Sequence, residues 1–136
     1  MVRKLDLYKC NICGNVVEIV IAGEGELVCC NQPMNKMKAK TTTEDMLKEK
    51  HVPVILKTDN GVNIIVGETI HPMTEEHYIQ FIEAHSQDGK YVKRKYLQPN
   101  EEPVLKLKCD CEDVIARELC NIHGLWISED RRQQND

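Results

Sequence analysis

No run of apolar residues in this chain is long enough to cross a bilayer as a helix. Nor does an apolar core follow the charged stretch from Met1 to Lys9, so no secretory leader is expected and the expected address is cytoplasmic. Excess positive charge is missing too. Lysine and arginine number 18 against 22 aspartates and glutamates, a net charge of −4, which excludes a general nucleic-acid surface. The basic cluster Lys93-Arg94-Lys95 is too short to replace one. Internal repeats and low-complexity tracts are absent. What remains is a chain of 136 residues with mixed charge, the size of one ordinary domain or of a small domain joined to a medium one.

Cysteine breaks this ordinary picture. Seven are present, and an odd count argues against a simple disulfide framework. In a reducing compartment clustered thiols bind metal or do redox work.

Two units are expected, 1–38 and 39–136. In the first, Cys10-Asn11-Ile12-Cys13-Gly14 has the spacing of a metal knuckle, with Gly14 free to turn the backbone. Val16 to Ile21 is β-branched and reads as a short strand, Gly23-Glu24-Gly25 as a turn, and Cys29-Cys30 follows. So small a unit buries little apolar surface and needs a staple, which four thiolates on one ion would supply. Neighbouring residues of a strand point to opposite faces, so Cys29 and Cys30 can share an ion only through a bend. Four thiolates suit iron or zinc equally. Unligated thiols or a disulfide between Cys29 and Cys30 are the alternatives, and the second Cys-x2-Cys of an ordinary zinc ribbon is missing.

Lys38 to Lys48 is polar and reads as a linker, with a brief helical turn at Met46 to Lys48. Beyond it the pattern is mainly β. Val52–Lys57 and Val62–Val66 flank the hairpin signal Asp59-Asn60-Gly61, and Tyr91–Leu97 and Val104–Lys108 are further strands. Glu75–His85 and Glu112–Leu119 fit an amphipathic helix as well as a strand, while regularly spaced short strands favour a β-sandwich. The tail from Ser128 is polar and expected to fray.

A second candidate centre is spread over three segments: Glu49-Lys50-His51-Val52-Pro53-Val54, His71-Pro72-Met73 with His77, and Cys120-Asn121-Ile122-His123-Gly124. Any one histidine alone reads more simply as a surface or core residue. Context favours ligation: Pro72 holds His71 in extended backbone, and Cys120-x2-His123 has knuckle spacing. His85 has no such partner and is assigned to solvent. Four imidazoles and a thiolate make five ligands, more than zinc ordinarily takes. The set points to a redox iron with an open sixth position, its thiolate pushing electron density across the metal.

Taken in order, Cys10-x2-Cys13, Cys29-Cys30, Glu49 to Val54, His71-Pro72-Met73-x3-His77 and Cys120 to Gly124 resemble the desulfoferrodoxin family, the two-iron class of superoxide reductases. The resemblance runs from Tyr8 to about Trp126. It implies a desulforedoxin-like N-terminal domain with iron on Cys10, Cys13, Cys29 and Cys30, followed by an immunoglobulin-like β-sandwich. There a second iron takes His51, His71, His77 and His123 in the equatorial plane and Cys120 on the axis. It also implies that both ambiguous segments are strands, that the protein is a homodimer, and that rubredoxin or a similar carrier donates electrons. Superoxide, an electron and two protons give hydrogen peroxide. Lys50 is the candidate for attracting the anion and ordering a proton-delivering water, and Glu49 for the sixth ligand of the ferric state. Without His51 beside them and the family pattern, Glu49 and Lys50 read as a solvated charged pair.

Cys109 and Cys111 match no ligand position; alternation puts both on one strand face, which leaves a redox-active or a merely buried pair open, with inert thiols favoured, and Trp126 is expected to pack near the second centre. Rival readings are a rubredoxin-like electron carrier without substrate, a zinc-stapled binding module without catalysis, and a dismutase.

Overall fold

The computed structural model describes residues 2–41, 51–67, 71–109 and 113–128. Its chain divides into two compact units, 1–38 and 39–136. Glu49, Lys50, the turn expected at Met46 to Lys48, Cys111 and the tail beyond Ser128 lie outside the described residues.

The first unit has five short strands: β1 (Leu7–Lys9), β2 (Val16–Glu18), β3 (Val28–Cys29), β4 (Gln32–Pro33) and β5 (Asn35–Lys36). β1 lies between β2 and β5 in an antiparallel sheet, and β3 and β4 form a separate hairpin. The strand expected through Ile21 stops at Glu18; Ile19 still exchanges hydrogen bonds with Leu5 and Asp6, and Leu5 takes left-handed backbone at φ +74°. Among the described residues of this unit only Leu7 and Cys10 are buried.

Seven strands build the second unit: β6 (Pro53–Thr58), β7 (Gly61–Val66), β8 (Ile79–His85), β9 (Val92–Tyr96), β10 (Val104–Leu107), β11 (Ile115–Cys120) and β12 (Gly124–Ile127). They form two antiparallel sheets, ordered β10-β7-β6 and β12-β11-β8-β9. Three strands against four, with the chain crossing between sheets after β7, β9 and β10, is the immunoglobulin-like sandwich expected. The core between the sheets contains Val62, Ile64, Ile79, Ile82, Leu105 and Ala116. The hairpin signal is confirmed: β6 ends at Thr58 and β7 begins at Gly61. A Cβ on Gly61 would lie 1.9 Å from the carbonyl oxygen of Leu107, so no side chain fits there.

β8 and β11, the segments that also fit a helix, are the two inner strands of the larger sheet and are buried on both faces. Their charged residues are inside. Glu83 is fully buried, and Arg94 Nη2 donates to its Oε2 at 2.6 Å while Arg117 pairs with Oε1. A buried carboxylate is tolerable only when paired in this way. The outer edges of β9 and β10 are tied by lysines: Lys93 Nζ donates to Lys106 O and Lys95 Nζ to Val104 O, both at 3.2 Å. Those contacts occupy carbonyls that an edge strand would otherwise offer to another chain. No helix among the described residues is long and apolar enough to cross a membrane.

Candidate metal centres

The first unit gathers Cys10, Cys13, Cys29 and Cys30, whose sulfurs all lie within 4.8 Å of one another. All four are free thiols, so the vicinal disulfide does not form. The expected bend is present: Cys30 and Asn31 both take left-handed backbone, at φ +54° and +61°. Gly14 has φ +84° and its N–H closes on Cys10 O at 3.0 Å. Cys13 Sγ stands 3.6 Å from Cys29 Sγ, which stands 4.0 Å from Cys30 Sγ. Four sulfurs at about 2.3 Å from one ion would be about 3.8 Å apart, so the cluster has the size of a tetrahedral thiolate site. Backbone N–H groups of Cys13 and Ile12 lower the Cys10 thiol to about 6. Hydrogen bonds with the Cys13 and Cys10 sulfurs push Cys29 up to about 12, and the same two neighbours raise Cys30. Without a cation one sulfur ionises at the expense of the others. A bound metal removes that conflict and displaces the protons.

In the second unit one end of the sandwich assembles three loops. His51 sits just before β6, where Gly67 N–H donates to Val52 O at 2.9 Å. His71 and His77 lie between β7 and β8. Thr74 shapes this loop, accepting the His77 N–H at its Oγ1 at 3.1 Å and donating its own N–H to His77 O at 3.0 Å. Cys120 ends β11 and His123 lies in the turn to β12, where Gly124 takes φ +83°. The register of β11 on β8 shifts between Leu119 and Cys120. A bulge of this kind re-aims the side chain that follows it.

Asn121 joins the loops. Its Oδ1 accepts the Tyr78 N–H at 3.0 Å, its Nδ2 donates to Glu76 O at 3.0 Å, and its own N–H donates to Tyr78 O at 3.1 Å. The sequence offers no sign of this role beyond Asn121's place between Cys120 and His123.

Potential ligand atoms of His51, His71, His77 and Cys120 lie within 4.8 Å of one another. His123 is outside that tighter set but its ring completes a square. Around it the centroid distances are 4.6 Å from His51 to His71, 4.8 Å from His71 to His77, 5.2 Å from His77 to His123 and 4.8 Å from His123 to His51. Adjacent rings are close to perpendicular, at 70° to 85°, whereas His51 and His77, across the diagonal, are 6.2 Å apart and only 24° from parallel. His51 and His71 are buried; His77 and His123 are half-buried, so small molecules can reach that side.

His71 shows which lone pair faces inward. Its Nδ1 lies 2.7 Å from Pro72 O, and a carbonyl only accepts, so Nδ1 carries the proton and Nε2 is a bare donor atom. That Nε2 is 3.0 Å from His51 Nε2. Two nitrogens at right angles on an ion with bonds of about 2.1 Å would be about 3 Å apart. The donor set therefore fits a transition metal, and five donors of nitrogen and sulfur exceed what zinc ordinarily uses.

Cys120 is buried, and its Sγ accepts the His123 N–H at 3.5 Å. Burial pushes its thiol up; the amides of His123 and Ile122 and the charge of Lys40 oppose that, while Glu118 reinforces it. Glu118 is fully buried, and among the described residues neither carboxylate oxygen has a hydrogen-bond partner. Burial pushes its carboxyl well above the usual carboxylate range. Trp126 is fully buried as expected, with its ring 5.0 Å from that of His51 at 25° and its Nε1 donating to His123 O at 3.1 Å.

Three expectations change. His85, assigned to solvent, is half-buried at the far end of β8 from His77, with Nδ1 3.1 Å from Ser86 O. Cys109 is disulfide-bonded rather than a thiol. The stretch read as linker is anchored at Lys40, which bridges to Trp126.

Comparison with known proteins agrees along most of the chain. A family profile described as desulfoferrodoxin matches residues 43–129, and one described as desulfoferrodoxin, N-terminal domain, matches residues 2–37. A desulfoferrodoxin homolog of Archaeoglobus fulgidus is 51% identical over 128 residues, covering 94% of this chain and 99% of the relative. The desulfoferrodoxin of Desulfarculus baarsii is 48% identical over 129 residues, covering 95% and 99%. Among solved structures, the superoxide reductase from Treponema pallidum superposes with a TM-score of 0.67 at 25% identity, covering 95% of this chain and 100% of its own. On these matches, this chain belongs to the desulfoferrodoxin family.

Proposed function

We propose that the chain is a superoxide reductase, with iron held by His51, His71, His77, His123 and Cys120. The observation that carries this reading is the closed square of imidazoles with the Cys120 thiol beside it. Ferrous iron bound there would supply the one electron that, with two protons, converts superoxide to hydrogen peroxide. The protein's part is to fix its donors in advance. Pro72 O orients His71, Asn121 holds the Cys120–Gly124 turn against the His77 loop, and Trp126 backs His51 and keeps water from that side. The His123 N–H tempers the electron donation of the Cys120 sulfur.

Glu49 and Lys50 enter through their place in the sequence, immediately before His51. Lys50 draws the superoxide anion toward an otherwise acidic protein and orders the water that protonates it. Glu49 would serve as a further iron ligand; a carboxylate is a hard donor that suits ferric better than ferrous iron. Cys10, Cys13, Cys29 and Cys30 hold the other iron. Rubredoxin or a similar small carrier supplies the electrons, and the working form is a cytoplasmic homodimer.

Stoichiometry tests the reading. Pre-reduced protein exposed to a superoxide pulse is expected to yield one peroxide per superoxide, with no oxygen released. One peroxide for every two superoxides, with oxygen, identifies a dismutase. Unchanged superoxide decay leaves an electron carrier and sinks the reductase. For Lys50→Ala with intact metal content, superoxide consumption at low salt should slow about tenfold; an unchanged rate removes Lys50 from the reaction.

A further inference from the structure

Lys40 belongs to a stretch whose composition reads as linker, yet both its backbone and its side chain are held. Its N–H donates to Leu125 O at 2.9 Å and its carbonyl accepts the Ile127 N–H at 2.9 Å. It thus adds a single parallel residue to the edge of β12, opposite Trp126. From there the side chain runs to the Cys120–Gly124 turn, where Nζ donates to His123 O at 3.1 Å. The ammonium also stands 5.3 Å over the Trp126 ring.

His123 O accepts a second hydrogen bond, from Trp126 Nε1 at 3.1 Å, so both of its lone pairs are used. Trp126 in turn stacks on His51, and the His123 N–H points at the Cys120 sulfur. One cation therefore contacts the backbone of one ligand residue and the ring that supports another. An exposed lysine on a carbonyl ordinarily contributes little, because a free stem loses entropy on being fixed. Here the backbone on both sides of the Lys40 Cα is already fixed, and the stem lies along an indole.

We infer that Lys40 is a positioning residue for the histidine–cysteine centre: it pins the Cys120–Gly124 turn and holds a permanent positive charge beside the Cys120 thiolate, favouring the ferrous over the ferric state. This rests on the iron reading above. A nearby cation disfavours the more positive oxidation state and makes the thiolate a weaker donor. The charge sits at the protein surface, so its influence is sensitive to salt.

The test uses the full chain loaded with iron. Redox titration of the thiolate-to-iron absorption is compared between the unaltered protein and Lys40→Met, Lys40→Gln and Lys40→Arg. In Lys40→Met the ferric-to-ferrous ratio at a fixed ambient potential is expected to rise about tenfold, equivalent to about 59 mV for one electron. Lys40→Gln, which keeps a donor without charge, should behave like Met, and Lys40→Arg should stay close to the unaltered protein. The difference should shrink as salt is raised. An unchanged potential in Lys40→Met overturns the inference. So does a shift that Arg does not restore and salt does not alter, which would mark Lys40 as a structural pin alone. If the unaltered protein shows no such absorption on oxidation, the iron reading itself fails and the inference with it, a result distinct from the other two.

Discussion

In the first unit most apolar side chains are on the outside: Ile12, Val20, Ile21 and Val28 are between 58% and 88% exposed. The second unit exposes some apolar side chains too but encloses a true core, in which Trp126, Ile64, Ile79 and Ile82 are essentially sealed from solvent. Both units gather a set of metal-ligating side chains, but they do so from opposite directions. A unit of 38 residues with two buried side chains among those described has little to hold it except its four thiols. A sandwich of seven strands has a core of its own, and the centre is carried on loops at one end of it. The first fold would depend on a metal to hold it together, whereas the second carries its ligand set on a fold that has its own core.

The largest expected effect follows from that asymmetry. Metal binding to a small thiolate site supplies roughly 10–16 kcal/mol of folding free energy, more than the first unit can obtain elsewhere. Cys13→Ser should therefore abolish the four-thiolate absorption and the hydrogen-exchange protection of β1, β2 and β5 together. Trp126 is the only tryptophan and belongs to the second unit, so its fluorescence reports that unit alone. Its unfolding transition should not move. A first unit that keeps its exchange protection without metal would break the comparison.

Next in size is the buried charge of the sandwich. Removing one member of a buried ion pair strands the other and costs about 3 kcal/mol or more. Glu83→Gln leaves Arg94 and Arg117 without their carboxylate. Urea unfolding followed by Trp126 fluorescence should show a loss of about 3 kcal/mol, while the four-thiolate absorption persists. No loss would mean that solvent or another group takes over from Glu83, and the sandwich would owe its stability to apolar packing alone.

Glu83 also explains what the sequence conceals. Glu83, Arg117 and Glu118 give β8 and β11 a polar rhythm that fits the wet face of a helix, but all three are buried. Only the pairing of β8 with β11, whose neighbours lie thirty or more positions apart, shows where those charges go. Local punctuation is easier to read. Asp59-Asn60-Gly61 marks its hairpin because two residues and a glycine suffice to turn a chain, and Cys10-x2-Cys13 marks its knuckle because the loop is self-contained. The histidines of the second centre are individually ambiguous, and their square depends on three loops meeting. Lys40 and Asn121 act through backbone carbonyls and amides, which leave no trace in residue type. The Cys109 disulfide goes against the favoured reading of inert thiols, since residue type and spacing suit an inert pair as well as a redox-active one.

A gentler probe of the sandwich is Ile64→Val. Ile64 is fully buried in β7, between β6 and β10, and the change removes one methylene from a packed site. The expected cost is about 1 kcal/mol, read as an earlier urea midpoint with an unchanged slope. A changed slope would indicate a looser native or denatured state instead of a local cavity.

The smallest effect belongs to Ile21→Ser. Ile21 is 88% exposed, so its side chain gives up almost no contact with water on folding and the hydrophobic effect has almost nothing to act on. If the four thiolates hold the first unit, exchanging this side chain for a hydroxyl should alter its stability by no more than about 0.5 kcal/mol. The readout is the chelator concentration needed to bleach the four-thiolate absorption, which should match that of the unaltered protein. A clear drop in that concentration would mean that Ile21 is covered in the protein's working form. The first unit would then be held partly by an apolar contact with another surface, and the contrast between a metal-made fold and a core-made fold would apply to the isolated chain only.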